Sequence, residues 1–221
     1  MKTLSVWNNK GGCGKTTLAV HLAYWAEKTR RRCLLVDMDR QGNALQWIAG
    51  DEAQDLRPGA VLERSPYLSL LYSPDGPALN LPPFDVVVVD CPPGLDVADR
   101  LKPDLWIVPV DSAFAVRGAA NVHADIAPSG VPLLFVLNRA DAGGLRVQKG
   151  IAEALAAGCL DVWPDAIPEN AALTRAASYG VAVWDAPFAS KNVNGIVERF
   201  AEGMFTRVGV PAPRASKRGA A

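Results

Sequence analysis

The stretch Val6-Trp7-Asn8-Asn9-Lys10-Gly11-Gly12-Cys13-Gly14-Lys15-Thr16-Thr17 decides how the rest of the chain is read. It closes a short apolar run, Thr3-Leu4-Ser5-Val6-Trp7, and opens into a segment of helical character, Thr16 to Thr29. Glycines between a strand and a helix let the backbone curl until successive N–H groups converge on one anion, and the helix adds its positive N-terminal end. In such a loop Lys15 reaches the β and γ phosphates of a nucleotide, and the Thr16 hydroxyl ligates Mg²⁺. Six specified residues in Lys-Gly-Gly-x-Gly-Lys-Thr arise by chance about once in 10⁷ start positions. A glycine-rich hairpin is the bland alternative, and the strand-loop-helix context speaks against it.

Outward from the loop, apolar runs recur at Cys33 to Val36, Val86 to Val89, Leu105 to Val110 and Val131 to Leu137. Runs apolar on both faces suit strands of a parallel sheet covered by helices on each side. Helical stretches lie between them at Ala113 to Ala127, Leu145 to Ala157 and Ala171 to Ser178. The alternation predicts right-handed crossovers and a doubly wound, mostly parallel α/β fold with helices on both faces. Residues 51 to 83, rich in Pro, Gly and acids with a weak strand signal near Tyr67 to Tyr72, read as a surface excursion with a short helix or an edge strand. Residues 1–208 are expected to form one domain around the phosphate loop, and 209–221 a flexible basic tail.

The chain has 221 residues, 49% hydrophobic and 21% charged, with 23 basic residues against 23 acidic ones and a mean hydropathy of +0.08. No run approaches the 18 or so apolar residues needed to span a bilayer, and the N-terminus lacks a signal peptide's layout, so a cytoplasmic protein is expected. Cys13, Cys33, Cys91 and Cys159 form no Cys-x-x-Cys pair, which argues against zinc or a disulfide framework. Zero net charge argues against a strongly basic nucleic-acid binder, unless the charge is unevenly placed.

Nucleotide hydrolysis needs metal-ordering carboxylates besides the loop. Val86-Val87-Val88-Val89-Asp90 is an apolar strand ending in an acid at its carboxyl end, where ligands of α/β sheets gather, and Asp90 is expected to order Mg²⁺. The loop Asn8 to Thr17 resembles the deviant Walker A motif of the ParA/MinD superfamily of P-loop ATPases, marked by a second lysine, here Lys10. That resemblance places Lys10, Gly11, Gly12, Cys13, Gly14, Lys15, Thr16 and Thr17 around ATP, with Lys10 reaching across an ATP-sandwich homodimer. It makes Asp37-Met38-Asp39-Arg40-Gln41 the first switch, with Asp39 positioning the attacking water and Asp37 supporting the metal beside Thr16 and Asp90. Arg40 replaces the proline usual there, which leaves the loop freer and adds a charge near the phosphates. It makes Cys91-Pro92-Pro93-Gly94 the second switch, and Asn138-Arg139 the pair that contacts adenine. An amide can donate and accept together, as the adenine edge requires.

Beyond the nucleotide, Ile167 to Gly180 resembles a late stretch of ParA partition proteins, although Glu169 and Ala172 stand where relatives carry DNA-binding arginines and Arg175 appears instead. From Arg199 onward five basic residues (Arg199, Arg207, Arg214, Lys217, Arg218) face one acid, Glu202, a local charge of +4 balanced by −4 over residues 1 to 198. With Arg175 and Lys191, these are the candidate contacts for non-specific DNA binding by a dimer on the nucleoid. Val193, Ile196, Val197, Phe200, Ala201, Met204, Phe205 and Val208 form one apolar helical stripe, expected to pack on the core. A MinD-like membrane helix is the rival, and Glu198 and Glu202 weaken it. The resemblance implies a small ParA-type ATPase that, with a ParB-like or other adaptor stimulating hydrolysis, partitions a plasmid, chromosome or protein cargo. Iron–sulfur and biosynthetic relatives of the superfamily fit less well: no second thiol lies near Cys91, and biosynthetic members do not ordinarily carry the Lys10 signature.

Overall fold

The structure, a computed structural model, describes residues 1–76, 83–94, 101–111, 113–140, 153, 155, 157 and 160–211. Seven strands form one sheet: β1 (Lys2–Val6), β2 (Cys33–Asp37), β3 (Val61–Ser65), β4 (Leu68–Tyr72), β5 (Val86–Asp90), β6 (Leu105–Val110) and β7 (Leu133–Leu137). Their order is β3-β4-β2-β5-β1-β6-β7, and every neighbouring pair is parallel except β3 with β4. Helices whose bounds lie among the described residues are α1 (Lys15–Lys28), α2 (Asn43–Ala49), α3 (Ala113–Ile126), α4 (Ala171–Tyr179) and α5 (Lys191–Val208).

Apolar alternation explains why the central strands read as unbroken hydrophobic runs. Leu4, Val86, Val88, Leu105, Ile107, Leu134 and Val136 enter one buried cluster, which also holds α1 and α5. Their chain neighbours Val87, Val89, Trp106, Val108, Phe135 and Leu137 enter a second cluster on the other face, with Ala119, Val122 and Ile126 of α3. Successive strand residues point to opposite faces, so a sheet buried on both sides must be apolar at every position. The doubly wound three-layer α/β/α fold expected from the sequence is the one observed.

The excursion between residues 51 and 83 needs correction. A 3₁₀ turn (Gly50–Asp55) leads into a hairpin, and β4 is an interior strand, paired in full register with β2 from Cys33↔Leu68 to Asp37↔Tyr72. Of the two hairpin strands, β3 is the one at the sheet edge. The strand signal was weak because Ser69 interrupts the apolar run and Pro- and Gly-rich sequence flanks the hairpin. The helix expected at Leu145 to Ala157 lies mainly outside the described residues, although Glu153, Leu155 and Ala157 are helical and Leu155 is buried in the second cluster. Cys159 and residues 212–221 also lie outside them.

The terminal helix α5 packs as expected. Val193, Val197, Phe200, Ala201, Met204 and Phe205 are buried in the first cluster, with Ile196 and Val208 packed against it. Its acids tie it to α1: Glu198 accepts from Lys28, and Glu202 accepts from both ends of the buried Arg31 guanidinium at 2.7 Å and from the Trp25 indole at 2.7 Å. The stripe is therefore covered by the core, and among the described residues no helix is long and apolar enough to cross a membrane.

Candidate functional site

The glycine loop sits at the carboxyl end of β1, between the ends of β5 and β6. Asn8 sews it to β6 by donating its amide to the Pro109 carbonyl at 2.7 Å, while its Oδ1 accepts from the Lys10 backbone N–H at 2.9 Å. Gly14 caps α1 with φ +92°, a left-handed conformation open to glycine. A side chain there would also meet the Asn138 amide nitrogen at 2.1 Å. Lys15 is buried, and its ammonium donates to the Lys10 carbonyl at 3.0 Å.

Two carboxylates stand opposite. Asp37 and Asp90 are register partners at the carboxyl ends of the adjacent strands β2 and β5, and both are buried. Asp37 accepts from the Asp39 N–H at 3.0 Å and from the Leu45 N–H at 2.8 Å, so it holds the first turn of α2. Burial nevertheless raises its pKa to about 6, with those backbone bonds pulling the other way. Neither Asp90 oxygen has a hydrogen-bond partner among the described residues. Burial first, then the charge of Asp37, lifts the Asp90 pKa to about 8, although the nearby Thr16 hydroxyl and Lys15 oppose the shift. A buried, uncompensated carboxylate facing a hydroxyl and a phosphate loop is the donor set a magnesium ion needs, since Mg²⁺ keeps several waters and takes few protein ligands. Among the described residues no cluster of three or more His, Cys, Asp and Glu side chains is placed to hold a metal.

The first switch forms a turn. Asp39 is half-buried and its carboxylate accepts from the Gln41 N–H at 2.9 Å. Arg40 points away from the loop to an exposed ion pair with Asp75 at 3.2 Å, so its charge is not spent on the phosphate site. On the other side, Asn138 is buried and donates to the Cys13 carbonyl at 2.8 Å. Arg139, at φ +56°, donates to the Gly12 carbonyl at 2.9 Å and pairs with Glu169 at 3.1 Å. Asn138, Arg139, Gly12, Thr17, Pro168 and Leu173 are among the walls of a cleft of about 240 Å³ beside the loop. Larger clefts, of about 380 Å³ between α2, β3 and α4 and of about 540 Å³ beside Arg40 and Gln41, are lined by neither the glycine loop nor the two strand-end carboxylates, so chemistry rather than size locates the site.

The structure thus gathers Lys10 to Thr17, Asp37, Asp39, Asp90, Asn138 and Arg139 at the carboxyl ends of the strands. Arg199 pairs with Asp165 at 3.3 Å and Arg207 with Asp161, while Arg175 and Lys191 are exposed. Arg214, Lys217 and Arg218 lie outside the described residues. Sequence reasoning missed Asp111, whose carboxylate holds the Lys10 ammonium. The signal was the one that marked Asp90, an acid closing an apolar strand.

Fold and loop together define a P-loop nucleotide-binding domain. Residues 4–183 match the model of the CobQ/CobB/MinD/ParA nucleotide binding domain, and the chain belongs to that family. It is 34% identical over 156 residues to the maintenance of carboxysome distribution protein A of Gloeobacter kilaueensis, a match covering 63% of this chain and 64% of that relative, just under two thirds of its length. It is 26% identical to the chromosome-partitioning ATPase Soj of Thermus thermophilus over 94% of this chain and 97% of Soj. The fold is shared with the septum site-determining protein MinD of Pyrococcus horikoshii, solved with Mg-ADP, at TM-score 0.73 and 19% identity over 95% and 98% of the two chains.

Proposed function

We propose that this chain is a ParA-type ATPase that uses ATP–Mg²⁺ as a timer: nucleotide closes a dimer across Lys10, the dimer holds non-specific DNA, and an adaptor triggers hydrolysis and release. The observation that carries the reading is the two-lysine glycine loop set against the partnerless buried carboxylate of Asp90. Bound Mg²⁺ would neutralise charge between the β and γ phosphates, a term central to phosphoryl transfer. Asp90 and Thr16 would hold it, with Asp37 fixing the switch backbone behind them. Lys15 binds the phosphates, Asp39 orients water, and Asn138 and Arg139 wall the base cleft. The relatives Soj and the carboxysome distribution protein support a role in placing a large cargo. The membrane-bound alternative is disfavoured by the buried stripe of α5.

Phosphate release measured with and without Mg²⁺, beside nucleotide binding and light-scattering mass, tests the proposal. Lys15→Ala should lose ATP binding, because no other side chain replaces its phosphate contact. Asp39→Ala should bind ATP and accumulate as the dimer while hydrolysis stops. Unchanged ATP affinity in the first variant, or wild-type turnover in the second, would remove those residues from their roles.

A further inference from the structure

The Lys10 ammonium donates to both carboxylate oxygens of Asp111, at 2.7 and 2.8 Å. Asp111 follows β6 directly, and its side chain is only 15% exposed against 51% for Lys10. A carboxylate held that deep and gripped at both oxygens orients its partner better than a surface acid does. The Lys10 backbone is fixed separately. Its N–H is bound to Asn8, and its carbonyl accepts from the Lys15 ammonium at 3.0 Å and from the Cys13 thiol at 3.3 Å. The freedom left to Lys10 therefore lies in its side chain, and Asp111 decides where that side chain rests.

We propose that Asp111 anchors Lys10 on its own subunit and so raises the threshold at which the lysine is released to a second copy of this chain. The inference rests on the proposed dimer. Lys10 in the nucleotide-free protein is stored rather than free, because an unanchored half-exposed lysine would sample the solvent side continuously. Breaking the pair is a step the dimer must complete. Asp111 acts through Lys10, so it is a positioning residue.

Two measurements on the full chain test this, with Asp111→Asn as the variant and Asp111→Ser as a second should the first lose its thermal transition. In the nucleotide-free protein, amine acylation read by peptide mass spectrometry should modify Lys10 several-fold faster once Asp111 is replaced, with Lys191 as an internal reference. In titrations followed by sedimentation, the ATP concentration at half-dimerisation should fall about threefold to fivefold, the range a partly screened ion pair supports. Unchanged Lys10 labelling overturns the anchor. So does weaker dimerisation of the variant, which would make Asp111 a contact across the interface. If the wild-type chain forms no dimer at any ATP concentration, the proposed function fails, and labelling alone still tells whether Asp111 holds Lys10.

Discussion

Asp90 destabilises the nucleotide-free protein, and the direction follows from its pKa. Burial lifts that value from 3.8 to about 8, so the folded protein holds a proton that the unfolded chain releases near pH 4. Stability from this group is greatest below pH 4 and is lost as pH rises toward 8, by up to several kcal/mol. Asp90→Asn, which keeps the shape without the charge, should raise the melting temperature at pH 8 far more than at pH 5. The same variant should lose Mg²⁺-dependent ATP turnover, a trade of stability for activity. Calorimetry at the two pH values checks the first claim, and equal gains at both would refute it. Asp90 stood out in the sequence because an acid closing an apolar strand, by itself most often a cap or turn residue, occurs together with a phosphate loop. Asp111 carries the same mark and went unread, since its partner Lys10 lies 101 positions away and only the β1–β6 pairing joins them. Asp37 was half legible: its place beside the site was expected, but its bond to Leu45 at the start of α2 required the turn at Gly42 to be seen.

Among the elements, α1 carries a pH-sensitive group in its interior. His21 is fully buried, its Nδ1 lies 2.6 Å from the Thr17 carbonyl, and its Nε2 accepts from the Val183 N–H at 3.0 Å. Those partners assign the proton to Nδ1 and leave no room for a second. Burial lowers the pKa from 6.5 to about 4, so the ring stays neutral when folded. Its contribution is fully present above pH 6.5 and falls away toward pH 4, by about 3 kcal/mol, as the unfolded chain takes up the proton first. Urea unfolding at pH 7.5 and 4.5 should therefore show a smaller pH penalty for His21→Gln than for the wild type; identical slopes would dismiss the histidine. In α5, a side chain at Gly203 would meet the Trp163 ring at 2.2 Å. Alanine gains about 1 kcal/mol of helix propensity there, yet overpacking against an indole costs about 1–3 kcal/mol. Gly203→Ala should lower the melting temperature by a few degrees, and a rise would mean the indole moves aside freely. Helices with a clear apolar stripe, such as α5, were legible from spacing alone. The seven-residue α2 was not, because its first turn is held by a residue from the preceding strand rather than by a local cap.

At the scale of the molecule, charge is more evenly spent than the sequence suggests. Two of the five basic residues beyond residue 198 are tied to Asp161 and Asp165, so the +4 end is weaker as a DNA surface than its count. Exposed Arg175 and Lys191 are the better described candidates. Gel shifts with the ATP-trapped Asp39→Ala protein should show DNA retained at low salt and released as salt rises. Arg175→Ala and Lys191→Ala should each reduce the salt slope by about 0.9, while Arg199→Ala should leave it nearly unchanged. No shift at low salt would remove DNA from the proposed cycle. The mostly parallel sheet with helices on both faces was legible because strands buried on two sides leave a continuous apolar record, whereas the order of the strands and the interior place of β4 were not. Which surface charges are neutralised was not, since ion pairs between α5 and residues 161–165 depend on packing.

The bond from Arg31 to the Pro211 carbonyl, at 2.8 Å, has a practical consequence. Arg31 precedes β2, so Pro211 is held at the amino ends of the strands, while the nucleotide loop and both carboxylates lie at the carboxyl ends. A five-residue strand separates these two ends by about 17 Å. Pro211 thus lies at the pole of the molecule opposite the proposed dimer face. A fluorescent reporter joined there should follow the protein in cells without standing between two copies, whereas one joined at Ala140, beside the base cleft, should block the contact it is meant to report.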